Sequence, residues 1–386
     1  MSAILTLNAG SSSIKFAVYL ADDQTGPEPQ LLQAGQVENL GPEARLVLKG
    51  SCGQIIDIGP ADHAAAVPAI LHALSPVLQG RVVTGVGHRI VHGGSIFGAP
   101  VHISDDVFRQ LETFIPLAPL HQPHNLAAVR AAQLAFPKAL QVGCFDTSFH
   151  KGHPFVNDTF ALPRRFYDQG VRRYGFHGLS YDYVTSCLRR DWPDLAKGRV
   201  VIAHLGNGAS MCAVLNGRSI GSSMGFSALD GLPMGTRCGQ LDPGVLLYLM
   251  DKGMGVEEMT RILYTESGLK GLSELSHDMR TLLASNDPKA REAIDYYVFR
   301  IRRELGGMAA VLGGLDGVVF CGGVGENAAE IRAEVIEGME FLGLSLNTGT
   351  NMAGKTRIGT GPAEVLVIHT DEEQVIARAV AKELAA

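Results

Sequence analysis

The 386-residue sequence predicts an α/β protein built from two related halves, and three features predict it. Residues 3–19, AILTLNAGSSSIKFAVY, read as a strand, a tight turn of Asn, Gly and Ser, and a second strand. Residues 200–215, VVIAHLGNGASMCAVL, repeat that design around the turn LGNGAS. Beyond the second hairpin, apolar strand-like runs alternate with helical patterns, as in an α/β fold.

The small residues of both turns permit φ > 0 and let backbone N–H groups come close to an anion. Either hairpin alone is an ordinary hairpin. The pair, half a chain apart, suggests a duplicated architecture holding phosphates between its halves, although identity between the copies is low. The run FPKALQVGCFDTSFHKGHP, a strand followed by polar residues, carries the first domain boundary. Further on, PKAREAIDYYVFRIRRELGGMAAVL reads as helix, and GVVFCGGVGENAAEIRAEVIEGM as a strand, a Gly-rich loop and a helix. The end, EVLVIHTDEEQVIARAVAKELAA, reads as a buried strand, an Asx/Thr cap and an amphipathic helix.

The length suggests two or three domains of about 150 residues each. A hydrophobic fraction of 46% and a charged fraction of 19% are those of a globular protein. No run approaches the roughly 18 apolar residues of a spanning helix, and no secretory signal is visible, so a soluble, cytoplasmic protein is expected. The six cysteines form no C-x-x-C pair, which argues against a disulfide framework or zinc knuckle. A net charge of −6 without a basic run makes nucleic acid and anionic membrane poor partners. An anionic substrate would need a local arginine cluster.

Two motif matches are decoys. Gly349 to Thr356, GTNMAGKT, fits the phosphate-loop pattern literally, but the following RIGTGPAE cannot be the helix that pattern requires, so a mobile surface loop is expected. Gly323-Val-Gly325-Glu-Asn-Ala328 fits the loose dinucleotide fingerprint between a strand and a helix. The next strand-like run, FLGLSLN, ends in Asn347 instead of the acid a ribose would want, which leaves nucleotide binding and weakens NAD binding.

Leu7-Asn8-Ala9-Gly10-Ser11-Ser12-Ser13-Ile14-Lys15 resembles the opening signature of the acetate kinase family, and Gly87-His88-Arg89-Ile90-Val91-His92-Gly93-Gly94 resembles its second. Phe145-Asp146-Thr147, Arg172 to Gly178, His204-Leu205-Gly206-Asn207-Gly208 and Met234-Gly235-Thr236-Arg237 continue the resemblance. Asp278-Met279-Arg280, Gly323-Val324-Gly325-Glu326-Asn327 and Thr370-Asp371-Glu372-Glu373 complete it, in the family's order and over nearly the whole chain. The resemblance implies a two-domain actin-like ATPase fold, duplicated and ribonuclease H-like, with the active site in the interdomain cleft. One domain is expected over 1–147 plus a C-terminal helix at 374–386, the other over 148–373. It also implies a cytoplasmic homodimer that moves a phosphoryl group reversibly between ATP and acetate, giving ADP and acetyl phosphate by direct in-line attack of the carboxylate.

Such transfer needs positioning and positive charge more than covalent help from the protein. Asn8 and the Ser11–Ser13 turn can present a polar loop to phosphates and metal, with Lys15 as a point cation beyond it; a solvated strand lysine is the plainer reading. Arg89 and Arg237 stand in apolar, glycine-rich runs, where a guanidinium must meet an anion or a structural salt bridge. By resemblance, Arg89 holds the acetate carboxylate, while Arg237 stabilises charge on the phosphoryl in flight. His177 would donate to an equatorial phosphoryl oxygen, where a lone histidine is more often a satisfied core or capping residue. Asp146 follows an apolar strand; acetate is already ionised at neutral pH, so Asp146 reads as a partner of Mg²⁺ or its waters and not as a general base. Glu372 opens the last helix and by resemblance ligates Mg²⁺ together with Asn8, Mn²⁺ being the alternative ion. His204–Gly208, Asp278–Arg280 and Gly323–Asn327 would hold ATP.

His121-Gln-Pro-His124 is set aside as a metal pair because its proline disfavours the helix such a site would want. The apolar pocket is expected from Val91, Leu120, Phe176 and Ala228. Residue 228 departs from the family, which usually carries proline there, and this makes propionate kinase the close alternative. A superfamily ATPase switch and a dinucleotide oxidoreductase are the other readings, separable by a hydroxamate assay.

Overall fold

Two mixed sheets carry the fold in the computed structural model, which describes residues 2–10, 13–21, 28–50 and 53–386. The chain divides into unit 1, Met1–Phe149 with Asp371–Ala386, and unit 2, His150–Thr370. Unit 1 contains β1 (Ser2–Ala9), β2 (Ile14–Leu20), β3 (Leu31–Glu38), β4 (Gly41–Lys49), β5 (Gln54–Ala61), β6 (Val82–Ile90), β7 (Val101–His102) and β8 (Leu140–Phe145). Their order in the sheet is β5-β4-β3-β2-β1-β6-β8-β7. Unit 2 contains β9 (Arg199–Leu205), β10 (Ala209–Leu215), β11 (Arg218–Ser222), β12 (Gly317–Cys321) and β13 (Glu364–Val367), ordered β11-β10-β9-β12-β13.

The same core recurs in both. β3, β2 and β1 form an antiparallel meander, and β6 and β8 then run parallel to β1. In unit 2, β11, β10 and β9 form the meander and β12 and β13 run parallel to β9. This is a duplicated ribonuclease H-like, actin-like α/β fold. The two Gly/Asn/Ser hairpins read from the sequence are the first two strands of each copy, β1–β2 and β9–β10.

Apolar runs explain the central strands: β12 is buried at every residue and β10 at all but its last. In unit 1 the helix Glu372–Leu384 packs on β6 through two glycines. A β-carbon on Gly85 would stand 2.4 Å from Val380 Cγ1, and one on Gly87 2.3 Å from Ile376 Cγ2. No larger residue leaves room for the helix at that height, which sets Glu372 at its N-terminus beside Asn8 of β1.

Several local expectations are corrected. GTNMAGKT is a surface loop only in its second half, where 353–356 are exposed turn and coil; Thr348–Met352 is a short helix capped by the Asn347 side chain, with Asn351 buried at 1% exposure. The Gly-rich stretch after β12 is itself helical over Gly322–Asn327, followed by the helix Ala329–Ile336. FLGLSLN is not a strand; Glu340–Leu342 is a 3₁₀ turn and Leu346 makes an isolated bridge to Gly359. Pro123 does not prevent a helix at 122–135: it occupies the first turn, where its missing N–H is no loss. No helix among the described residues is long and apolar enough to cross a membrane.

Candidate active site

In each unit the polar groups gather at the carboxyl ends of the parallel strands, where an α/β sheet leaves room for ligands. In unit 1, Asn8, opposite Lys15, and Arg89 are each one residue from the end of β1 and β6, and Asp146 follows β8. Arg89 donates from Nε and Nη2 to Asp146 at 3.0 and 2.7 Å, and from Nη1 to Asn8 Oδ1 at 3.1 Å. Asn8 Nδ2 in turn donates to Glu372 Oε2 at 3.0 Å and Glu373 Oε1 at 3.2 Å. The structural salt bridge weighed for Arg89 is therefore present, and its partner is another expected site residue.

Glu373 was not picked out from the sequence, although it adjoins Glu372 in the same motif. Burial, and next the neighbouring Glu372 carboxylate, push its carboxyl above the ordinary range, while Lys15 acts against them. Among the described residues no three His, Cys, Asp or Glu groups are arranged to hold a metal ion alone. The oxygens of Asn8, Asp146 and Glu372, hydrogen-bonded here to Arg89 and to Asn8, are of the donor type a hard cation takes.

Lys15 is exposed on β2, and Gly10 N donates to Ser13 O at 2.8 Å. Ser11 and Ser12 lie outside the described residues. Val91 is buried at 3% exposure and its N–H donates to Asn125 Oδ1, whereas Leu120 is 38% exposed.

In unit 2, His177 stands in the left-handed region at φ 58° and ψ 24°, immediately before the helix Gly178–Asp191. Its Nδ1 lies 2.8 Å from Ser210 Oγ, which also bonds the Tyr181 hydroxyl. Its ring stacks on His204, centroids 4.3 Å apart. A β-carbon placed on Gly208 would stand 3.2 Å from His177 Nε2 and 3.7 Å from Arg237 Nη2. An imidazole and a guanidinium thus both lie close to Gly208 of the β9–β10 turn, and a β-carbon there would press on the imidazole. Arg237 Nη1 donates to Ala228 O at 3.0 Å, so residue 228 touches Arg237 through its main chain. Phe176 is buried at 2% exposure.

His204 is one residue from the end of β9, with Nδ1 2.8 Å from Ser180 Oγ, which accepts from Thr370 Oγ1 at 2.9 Å. Its Nε2 lies 3.1 Å from where a β-carbon on Gly322 would stand, and one on Gly206 would be 3.7 Å from Gly323 N. The two glycine-rich turns, Gly206–Gly208 and Gly322–Asn327, are therefore neighbours. Gly235 lies beside them, and a β-carbon there would displace the Asn207 side chain, whose Oδ1 stands 2.2 Å from that position. Glu326 is occupied by the main chain: Oε1 accepts from Gly322 N and Thr370 N at 2.9 and 3.0 Å, and Oε2 lies 2.8 Å from His369 Nδ1. Asn327 Nδ2 donates to Gly323 O at 2.9 Å. Leu205 and Met279 are core residues at 0% and 4% exposure, and Val324 lies within the same helical turn as its glycines. Asp278 caps the helix Met279–Leu283, and hydrogen bonds from Arg280 hold its carboxyl down at about 2.

A duplicated actin-like fold with glycine turns at its strand ends, and a guanidinium and imidazoles beside them, is a framework shared by kinases and other ATPases. The chain matches the acetokinase family over residues 3–378 and belongs to it. It is 54% identical to the acetate kinase of Methylocella silvestris, over 97% of this chain and 96% of that protein. It is 48% identical to the acetate kinase of Rhodopseudomonas palustris strain TIE-1, over the same shares. Among solved structures, a propionate kinase from Francisella tularensis superposes with a TM-score of 0.92 at 35% identity, covering 99% of this chain and 100% of that one. Porphyromonas gingivalis acetate kinase superposes with a TM-score of 0.88 at 37% identity, over all of both chains. The chain is a phosphotransferase with a carboxyl group as acceptor, and its reaction is that of an acetate kinase.

Proposed function

We propose that the transfer between ATP and acetate is a direct in-line attack of the substrate carboxylate on the γ-phosphorus, without a phosphorylated enzyme. The observation that carries this reading is the pairing of His177 Nε2 with Arg237 Nη2 about Gly208, 3.2 and 3.7 Å from its β-carbon position. Two such groups close to one glycine of the turn suit the equatorial oxygens of a transferring phosphoryl group. No general base is assigned, because a carboxylic acid with a pKa of about 4 is already ionised at neutral pH.

Arg89 takes the carboxylate: its bonds to Asp146 and Asn8 leave a further N–H on each of Nη1 and Nη2. Val91, Leu120, Phe176 and Ala228 receive the methyl group. The turns His204–Gly208, Asp278–Arg280 and Gly323–Asn327, with Ser11, Ser12, Ser13 and Lys15, take the nucleotide. Asn8, Asp146 and Glu372 hold Mg²⁺, directly or through water, and when bound the ion neutralises phosphate charge. Mn²⁺ satisfies the same oxygen ligands.

We further propose a cytoplasmic homodimer with only small molecules as other partners. The helix Pro243–Asp251, PGVLLYLMD, supports a second copy, because it carries no buried residue while Leu247 and Tyr248 are 68% and 60% exposed. Propionate is the second reading, favoured by Ala228 and by the likeness to a propionate kinase. The test is purified protein with ATP, Mg²⁺ and hydroxylamine, comparing acyl hydroxamate from acetate and from propionate. Hydroxamate with acetate, dependent on ATP and the metal, is expected; ATP hydrolysis without hydroxamate would overturn the assignment.

A further inference from the structure

Arg332 is 1% exposed and forms no ion pair among the described residues. Nε donates to Asn351 Oδ1 at 2.8 Å and Nη2 to Asn351 O at 3.1 Å. Nη1 donates to the main-chain oxygens of Gly325 and Glu326 at 2.8 and 2.9 Å. Asn351, also 1% exposed, donates from Nδ2 to Ala329 O at 2.8 Å. Burial makes this guanidinium costly, with only the nearby Glu330 carboxylate acting in its favour, and hydrocarbon would fill the space at less expense. Its donors instead satisfy carbonyls at the end of the Gly322–Asn327 turn, where a cation complements the peptide dipoles. Glu326 Oε1 holds the opposite end through Gly322 N. The turn is thus gripped at both ends, and one grip is anchored in GTNMAGKT, the segment whose phosphate-loop likeness has no following helix.

We propose that Arg332 and Asn351 form a positioning clamp that keeps the Gly322–Asn327 turn shaped for the nucleotide, and that GTNMAGKT serves as the clamp's anchor and not as a phosphate loop. The inference rests on the assignment of that turn to ATP. Loosening it moves Gly323 and Gly325 relative to β9 while leaving Arg89 and its surroundings intact, so ATP binding suffers and acetate binding does not.

The experiment is steady-state kinetics of the full-length enzyme in both substrates, with ADP binding by calorimetry. Asn351→Leu is expected to raise the KM for ATP and the Kd for ADP about tenfold, with the acetate KM within about twofold of wild type. Asn351→Asp keeps the acceptor for Arg332 and should restore most of the affinity. Lys355→Ala should leave ATP binding unchanged. If Asn351→Leu does not fold, Asn351→Ser replaces it with the same expectation.

An ATP KM within about twofold of wild type in the leucine or serine variant, or both KM values raised together, would overturn the clamp. So would a loss in Lys355→Ala equal to that in Asn351→Leu. Gly323→Val separates this from the underlying assignment, because a β-carbon on Gly323 meets no atom within 4 Å and the ligand-free fold tolerates it. If Gly323→Val leaves ATP binding intact, the turn is not the nucleotide site. If it weakens ATP while Asn351→Leu does not, the clamp alone is wrong.

Discussion

Arg89 and Asp146 form a two-pronged ion pair in which the arginine is partly open, its side chain 18% exposed, and the carboxylate is closed off at 1%. The asymmetry assigns them different tasks. Asp146 is held, and Arg89 keeps donors for a second anion.

Arg89→Leu is therefore expected to do two things at once. Catalysis loses the carboxylate ligand, and kcat/KM for acetate should fall by a factor of about 100 or more. Asp146 loses its counter-charge, and breaking a buried pair costs about 3–5 kcal/mol, so Tm should fall as well. Arg89→Lys should recover much of the Tm and little of the activity, because an ammonium cannot make the fork. Kinetics beside thermal unfolding check this, and wild-type turnover in Arg89→Leu would remove Arg89 from the reaction.

His177 and Arg237 should behave differently from Arg89. His177 bonds the Ser210 hydroxyl and Arg237 the Ala228 carbonyl, so Arg237→Leu and His177→Asn should fold normally by circular dichroism, asparagine tolerating the left-handed backbone at 177. Each should lower kcat by about 10²–10³ with smaller changes in both KM values. Ser210→Ala leaves the ring in place without its Nδ1 partner, and a loss of about tenfold is expected. Full activity in His177→Asn would show that the imidazole does not touch the phosphoryl group.

Ala228→Pro should sharpen the preference for acetate over propionate. Proline keeps the carbonyl that binds Arg237, and among the described residues the Ala228 N–H makes no hydrogen bond that would be lost. It adds bulk to the pocket, where one methylene is worth about 1–3 kcal/mol, and the low end is expected because neighbours relax. Acetate should remain preferred in the wild type, since Val91 is present. The ratio of kcat/KM values for the two acids in both proteins decides it; an unchanged ratio would mean that residue 228 does not shape the pocket.

Stability should fall on the acid side of neutrality. Burial lowers His88 from 6.5 to about 4, against a weaker opposing bond from Gln141. Burial, and then His153, lower His150 to about 3. Below about 6.5 the unfolded chain binds protons that these rings refuse in the folded state. Their contribution is therefore fully present above that pH and is lost as pH falls toward the folded values. Each ring adds a slope of about 1.4 kcal/mol per pH unit in that window. Thermal unfolding at about pH 7 and about pH 5 should show a lower Tm at the acid end, and a smaller difference in His150→Gln, whose amide can still donate to Phe176 O. A Tm independent of pH over this range would contradict the burial of both rings.

Much of the fold and of the candidate site was legible in the chain itself. Period-2 apolar runs around NAGSSS and LGNGAS fixed two hairpins, because small residues at a turn and apolar residues in a strand are local requirements. The long helix Pro288–Leu312 and the C-terminal helix follow from periodicity and from the Asp287 and Asp371 caps for the same reason. Ordered motifs marked Asn8, Arg89, Asp146, His177 and Arg237. Tertiary structure decided the rest, because it depends on partners far away along the chain. Arg89 finds Asp146 57 residues on, and Asn8 finds Glu372 364 residues on, once Gly85 and Gly87 admit the last helix. GTNMAGKT carries a phosphate-loop spelling, yet packing bends it into a helix whose Asn351 meets Arg332. A motif records which residues are present; burial and hydrogen-bond supply determine which anion, carbonyl or side chain each of them meets.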